Sequence, residues 1–280
     1  MRVLLLGHPV EHSLSPPMQN AAFASLGLDH NYEAIDVAEE KLAAYLSLLR
    51  TGGFLGANVT VPYKLAVVAA MDELDGDAER LGAVNTIVVR EGRLLGHNTD
   101  VVGALEGLLV PVRLSLRGGS VLVLGAGGAT RAILAALAAL DTDPPSDIVV
   151  LARRSEAAED AAALGVALGL SCRAAAWWNL EDELRRAGVV INCTPMGLHD
   201  DDPLASFPVA GRVVLDLTYA PGGTPLFRRA WAEGAVALQG EEMLLHQGAA
   251  AFTLWTGRPA PVAVMREVLK TELARTWAGH

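Results

Sequence analysis

Gly118-Gly119-Ser120-Val121-Leu122-Val123-Leu124-Gly125-Ala126-Gly127-Gly128-Ala129-Thr130 is the stretch that decides the fold. A continuous apolar run that stops at a glycine-rich turn reads as a strand buried on both faces. The Ala- and Leu-rich segment that follows, as far as Leu140, reads as a helix. A strand, then Gly125-x-Gly127-Gly128, then a helix leaves free amides and the positive helix end at one point, where a pyrophosphate can dock. Thr130 stands where the dinucleotide fingerprint would carry its third glycine. A purely structural loop would use such a turn about as readily, and it is the flanking strand and helix that favour a ligand.

Beyond that helix, Asp141–Asp147 with Pro144-Pro145 is a turn cluster. Ile148–Ala152, Val189–Asn192 and Val213–Asp216 are further short strands, with helical segments between the first two. This rhythm predicts a doubly wound, Rossmann-type domain. Past Leu238 no strand is expected, only two helices, Glu241–Thr256 and Val262–Trp277. Upstream, the pattern predicts strands at Val3–Leu6, Gly56–Val59 and Ala83–Val89, the last turning at Glu91-Gly92. Between them it predicts a helix capped by Ser15 and ended by Gly27, a second over Glu39–Arg50 and a third over Pro62–Leu74. The pattern restarts near Val102–Leu116, so the fold class is α/β with two α/β domains and mostly parallel sheets.

Hydrophobic residues make up 51% of the 280-residue chain and charged residues 19%, enough for a full core and too apolar for disorder. The net charge of −10, with only scattered arginine doublets, argues against nucleic acid as a partner. No apolar run approaches the roughly 20 residues of a membrane span. Cys172 and Cys193 make no disulfide framework, and the histidines and cysteines show no metal-ligand spacing. The expectation is a cytoplasmic protein without a metal.

Four places invite chemistry. After the second strand of the glycine-turn unit, Arg153-Arg154 stands where an NAD-binding fold offers a carboxylate to the ribose. Guanidiniums match a phosphate in charge and fork geometry, so NADP is expected rather than NAD. Asn58-Val59-Thr60-Val61-Pro62-Tyr63-Lys64 places polar groups and a lysine at a strand end. Arginine is this chain's default cation, only Lys41, Lys64 and Lys270 departing from it, and lysine, unlike arginine, can give and retake a proton. Asp100 follows a turn at Gly96 and opens a helix, where a helix cap is its commoner use; beside Lys64 it would form an acid/base pair. Ser13 and Ser15, before Pro16-Pro17, could both address one anionic group, although one capping the helix and the other exposed is the commoner arrangement.

Together the segments resemble the shikimate dehydrogenase family over nearly the whole chain. The resemblance rests on Gly7-His8-Pro9-Val10-Glu11-His12-Ser13-Leu14-Ser15-Pro16, Asn58–Lys64, Gly82-Ala83-Val84-Asn85-Thr86, Gly96-x-Asn98-Thr99-Asp100 and the glycine turn. It continues through Asn192-Cys193-Thr194-Pro195-Met196-Gly197, Asp216-Leu217-Thr218-Tyr219-Ala220-Pro221 and Gly240-x-x-Met243-Leu244-x-x-Gln247. It implies a substrate domain over residues 1–102 and 240–280, and an NADP domain over 103–239. It further implies Lys64 and Asp100 as the catalytic pair. Ser13 and Ser15 would hold the substrate carboxylate, and Asn58, Thr60, Asn85, Tyr219 and Gln247 the carboxylate or ring hydroxyls. Gly125, Ala126, Gly127, Gly128, Ala129 and Thr130 would carry the pyrophosphate of NADP, and Arg153 and Arg154 its 2′-phosphate. Thr194, Met196 and Gly240 would flank the nicotinamide. Ala152 replaces an asparagine common in the family, which changes the adenine-ribose contacts, and His97 reads as a rim residue. The implied reaction is reversible NADPH-dependent reduction of 3-dehydroshikimate to shikimate, with small molecules as partners, no nucleic acid, no membrane, and a homodimer left open. The rivals are a quinate or dual-specificity dehydrogenase, a ligand-sensing regulator that keeps the fold, and a methylenetetrahydrofolate-type dehydrogenase.

Overall fold

The computed structural model describes residues 1–197 and 201–277, and places them in two compact units. The first unit takes Met1–Val101 and Leu245–Glu272; the second takes Val102–Leu244 with the described residues from 273 onward.

The first unit holds a six-stranded sheet of β1 (Arg2–Gly7), β2 (Asn31–Asp36), β3 (Phe54–Val59), β4 (Glu73–Leu74), β5 (Thr86–Arg90) and β6 (Arg93–His97). Their order across the sheet is β2-β1-β3-β5-β6-β4. β1 runs parallel to both β2 and β3, whereas β5 is antiparallel to β3 and β6, so the sheet is mixed. Leu4, Leu6, Ala57, Val59, Ile87 and Leu94 carry one core, closed by Leu42, Leu46 and Leu49 of the helix Leu42–Leu49. On the helix Ser15–Ser25, Gln19 Nε2 donates to the Gly248 carbonyl at 2.9 Å and Phe23 packs on Phe252 at 5.3 Å between ring centroids. Trp255 Nε1 donates to the Ile87 carbonyl at 3.0 Å, which seats the end of the helix Glu241–Thr256 against β5.

Several expectations fail here. Pro62–Leu74 is not a helix: it forms turns, a 3₁₀ turn at Val68–Ala70 and then β4. Its backbone groups go to neighbouring chain instead. The Lys64 carbonyl accepts from Val84 N at 2.8 Å, and Asp72 N donates to the Leu94 carbonyl at 2.8 Å. Ser15 does not cap its helix; Leu14 occupies that position, and Ser13 Oγ accepts from Ser15 N at 3.3 Å. Gly96 lies inside β6 rather than in a turn, and the strand expected from Ala83 begins only at Thr86. Glu39–Lys41 is a 3₁₀ turn leading into the helix Leu42–Leu49.

The second unit is an all-parallel sheet of β7 (Ser120–Leu124), β8 (Asp147–Ala152), β9 (Cys172–Ala176), β10 (Val189–Asn192), β11 (Val213–Asp216) and β12 (Val236–Gln239). The order β12-β11-β10-β7-β8-β9 reverses direction of travel between β7 and β10, which is the switch point where this fold binds ligands. Leu122, Leu124, Val149, Leu151, Val190 and Val214 build its core. The helix Gly128–Ala139 buries Ile133, Leu134 and Leu137.

Candidate active site

In the first unit the site grows from the ends of β3, β5 and β6. The turn after β3 carries Lys64, and Asp100 opens the helix Asp100–Ala104 just past β6. Although 36 residues apart in sequence, they meet: Lys64 Nζ lies 2.6 Å from Asp100 Oδ2, with side chains 15% and 7% exposed. Asn85 Nδ2 donates to the other oxygen, Oδ1, at 2.8 Å. The Asp100 amide is held by Asn98 Oδ1 at 3.1 Å, and Asn98 Nδ2 donates to the Ala83 carbonyl at 2.9 Å. A carboxylate pinned on both oxygens keeps the ammonium in one place, the geometry an acid/base pair requires.

Asn85 is set by its own neighbours. Its Oδ1 accepts from Thr99 N at 2.7 Å and lies 3.0 Å from Thr86 Oγ1, while Nδ2 also reaches Thr99 Oγ1 at 3.0 Å and Gln247 Oε1 at 3.5 Å. Asn58, named above for substrate contact, is occupied inside the protein. Its Nδ2 donates to the Asn85 carbonyl at 3.0 Å and to Thr86 Oγ1 at 2.9 Å, and its Oδ1 accepts from the Tyr32 hydroxyl at 2.8 Å. Thr60, half-buried, accepts on its carbonyl from Tyr63 N and donates its amide to the Leu6 carbonyl, which leaves its side chain uncommitted to those backbone bonds. Ser13 and Ser15 stand at the start of the helix Ser15–Ser25. His97 Nδ1 lies 2.9 Å from Asp75 Oδ2.

In the second unit the glycine turn bends where expected. Gly125 has φ +101°, in the left-handed region that favours glycine, and its amide donates to the Leu151 carbonyl at 2.7 Å. Gly127 sits at the N-cap of the helix Gly128–Ala139 with no side-chain cap, and a Cβ there would meet open space. A helix start with free amides facing room is a place for a pyrophosphate. Thr130 is buried, and its hydroxyl donates to the Gly125 carbonyl at 2.9 Å and braces the turn. Arg153 and Arg154 follow β8, exposed, and among the described residues neither carries an ion pair. Two free guanidiniums beside that turn fit a phosphorylated ribose.

The loops after β10 and β11 are laced together. Asn192 Oδ1 accepts from Thr194 Oγ1 at 2.6 Å, and its Nδ2 donates to the Met196 carbonyl at 3.0 Å and to Asp216 Oδ1 at 2.9 Å. Asp216, fully buried, also accepts from the hydroxyls of Thr218 at 2.7 Å and Thr224 at 2.6 Å. Burial pushes its carboxyl above the usual range, and these donors pull against that shift. A Cβ at Gly240 would strike the Leu217 carbonyl, so glycine is what allows that strand end to lie against the Leu217–Tyr219 loop. Tyr219 is half-buried on the same loop. Among the described residues no group of His, Cys, Asp and Glu could hold a metal, and no helix is long and apolar enough to cross a membrane.

Thr86, Thr99, Tyr32, Asn192 and Asp216 have structural parts that reading by residue type did not assign. All but Tyr32 lie inside the quoted motifs, and that was the available signal; Tyr32 lies on a strand the pattern did not predict.

The family model of the shikimate dehydrogenase substrate binding domain matches residues 5–87, and that of the shikimate 5′-dehydrogenase C-terminal domain matches residues 240–270. The chain is 43% identical over 277 residues to the shikimate dehydrogenase (NADP(+)) of Methanopyrus kandleri, covering 96% of this chain and 94% of the relative. Its structure is similar to that of shikimate 5-dehydrogenase from Thermus thermophilus in complex with NADP(H) and shikimate. The TM-score is 0.82 at 39% identity, covering 97% and 99% of the two chains. Quinate dehydrogenase from Corynebacterium glutamicum in complex with NAD superposes with a TM-score of 0.85 at 31% identity, covering 97% and 99%. With identity of this order across nearly its whole length, the chain belongs to the shikimate dehydrogenase family.

Proposed function

We propose that this chain catalyses the reversible, NADPH-dependent reduction of 3-dehydroshikimate to shikimate, a step in aromatic amino acid biosynthesis, with Lys64 and Asp100 as the proton-transfer pair. The observation that carries the reading is the part-buried contact of 2.6 Å between Lys64 Nζ and Asp100 Oδ2, fixed from behind by Asn85. NADPH, when bound, supplies the hydride. Lys64 gives its proton to the substrate oxygen as negative charge builds there, and takes it back in the opposite direction. Asp100 keeps the ammonium in place and offers its oxygens to a ring hydroxyl. Ser13 and Ser15 bind the substrate carboxylate; Thr60, Asn85, Tyr219 and Gln247 bind carboxylate or hydroxyls. Asn58, whose polar atoms are engaged within the protein, acts by holding that wall in place. The glycine turn from Gly125 to Thr130 holds the pyrophosphate, Arg153 and Arg154 the 2′-phosphate, and Thr194, Met196 and Gly240 border the nicotinamide.

In this reading residues 1–102 and 240–280 handle substrate and 103–239 the cofactor. The protein works in the cytoplasm on small molecules, as a monomer or a homodimer, and its net charge of −10 supports the absence of a nucleic-acid partner. Lys64→Ala should collapse turnover while NADP+ binding, followed by fluorescence titration, stays nearly intact; retained turnover removes Lys64 from its role. The second reading, a quinate dehydrogenase, is favoured by the close superposition on the quinate enzyme. Parallel assays of shikimate and quinate with NADP+ and NAD+ separate the two, and the free arginine pair leads us to expect shikimate with NADP+.

A further inference from the structure

Thr86 opens β5, followed by Ile87, Val88 and Val89, and is fully buried. A valine would pack there as well by volume, with nothing polar to satisfy. A buried hydroxyl without partners costs free energy, so its presence in this core needs a reason. The reason lies in its neighbours. Thr86 Oγ1 accepts from Asn58 Nδ2 at 2.9 Å and lies 3.0 Å from Asn85 Oδ1 and 3.1 Å from Thr99 Oγ1. Every one of those partners is itself one or two hydrogen bonds from Asp100.

Followed from donor to acceptor, the bonds converge on Asp100. The Tyr32 hydroxyl donates to Asn58 Oδ1, Asn58 Nδ2 to Thr86 Oγ1, Thr86 Oγ1 to Asn85 Oδ1, Asn85 Nδ2 to Asp100 Oδ1, and Lys64 Nζ to Asp100 Oδ2. Asn58 and Asn85 are each oriented by a partner of fixed role, the Asn85 carbonyl as acceptor for the first and Thr99 N–H as donor for the second. With Asn58 donating to it, the single proton of Thr86 is left for Asn85 Oδ1 or Thr99 Oγ1. Thr99 Oγ1 also reaches Asn85 Oδ1, at the longer distance of 3.2 Å, and the closer Thr86 hydroxyl, added to Thr99 N–H, polarises that amide and strengthens the bond its Nδ2 makes to the carboxylate.

We propose that Thr86, backed by Asn58 and Tyr32, is a positioning residue for proton transfer: its hydroxyl fixes the Asn85 amide, which aims Asp100 at Lys64. The proposal rests on the reading of Lys64 and Asp100 as the proton-transfer pair. Thr86 touches neither substrate nor cofactor, so its effect belongs in kcat and not in the affinity for NADP+.

The test is steady-state shikimate oxidation by the full chain carrying Thr86→Val or Thr86→Ser, with melting curves taken alongside. Thr86→Val should lower kcat about ten- to hundredfold, the scale on which misplaced catalytic groups act, with KM for NADP+ unchanged. Thr86→Ser, which keeps the hydroxyl, should restore kcat to within about threefold of wild type. In a Lys64→Ala background Thr86→Val should cost no further turnover, because both changes remove the same function. A kcat for Thr86→Val within twofold of wild type overturns the proposal, as does a serine variant no better than valine or an additive loss on Lys64→Ala. Should Thr86→Val not fold, Tyr32→Phe decides: a drop in kcat with unchanged KM for NADP+ supports the relay, and an unchanged kcat overturns it. If Lys64→Ala alone keeps its turnover, it is the assignment of the pair that fails, a result independent of Thr86.

Discussion

Asp100 has two oxygens and answers to two different kinds of partner, a cation on one side and a neutral amide on the other. That division lets one carboxylate hold Lys64 while itself being held. At the same scale, Arg153 and Arg154 are free of ion pairs among the described residues and so are available to a phosphate. Replacing both with alanine should raise KM for NADP+ at least tenfold and leave KM for NAD+ nearly unchanged, since each charged hydrogen bond contributes about 1.5–3 kcal/mol. Kinetics with the two cofactors in parallel would check it. Lys64 and Asp100 could be singled out in the sequence by residue type and motif. What Asn58 does could not, because its side chain has the chemistry of a ligand contact and only coordinates show that Tyr32, Thr86 and the Asn85 carbonyl already use it. The same holds for Thr130, whose hydroxyl turns back to its own loop.

Two carboxylates do opposite work for the elements that carry them. Asp75 caps the helix Gly76–Leu81, accepting from Ala78 N at 2.6 Å, and pairs with His97. Burial would raise its carboxyl, yet the bonds from His97 and Ala78 prevail and hold it below the usual range. Its contribution is therefore present at neutral pH and is lost as the pH falls from about 4 through the lower folded value. Asp75→Ala should cost about 1–2 kcal/mol at pH 7, the range for a lost cap, with a smaller difference from wild type near pH 3 in urea titrations. Asp216 carries the other sign. Burial raises it, so its charge opposes folding above the folded pKa, and that penalty shrinks on acidification. Even so, Asp216→Ala should destabilise by about 3 kcal/mol at pH 7, because it takes the acceptor from one Asn192 Nδ2 proton and from the hydroxyls of Thr218 and Thr224 in the core. Elements were legible wherever burial on both faces writes an unbroken apolar run, as in Val189–Asn192 and Val213–Asp216, whose limits the structure repeats. They were illegible where it does not. β9, Cys-Arg-Ala-Ala-Ala, is half-buried throughout, and β2 carries Asn31, Glu33 and Asp36, so neither shows a strand's pattern. The helix expected over Pro62–Leu74 lost to sheet neighbours that claimed its backbone groups.

At the scale of the molecule, each unit has its own sheet and its own core, and every residue assigned to NADP+ lies in the second. NADP+ at about 100 times its dissociation constant should stabilise that unit by about 2.7 kcal/mol. A scanning calorimeter would show the rise in melting temperature, and the variant lacking both arginines should show much less of it at the same concentration. The first unit is made from two distant pieces of chain. Trp255 reaches the Ile87 carbonyl, and Phe252 packs on Phe23, only after the whole of Val102–Leu244 has been laid down between them. On the ribosome, at about 5–20 residues per second, the opening hundred residues therefore wait on the order of ten seconds for the segment that completes them. The part of the protein synthesised first thus stays unfinished until nearly the whole chain is made, and a translational stall just past Leu244 would leave the sheet around β5 bare to chaperones or to other nascent chains.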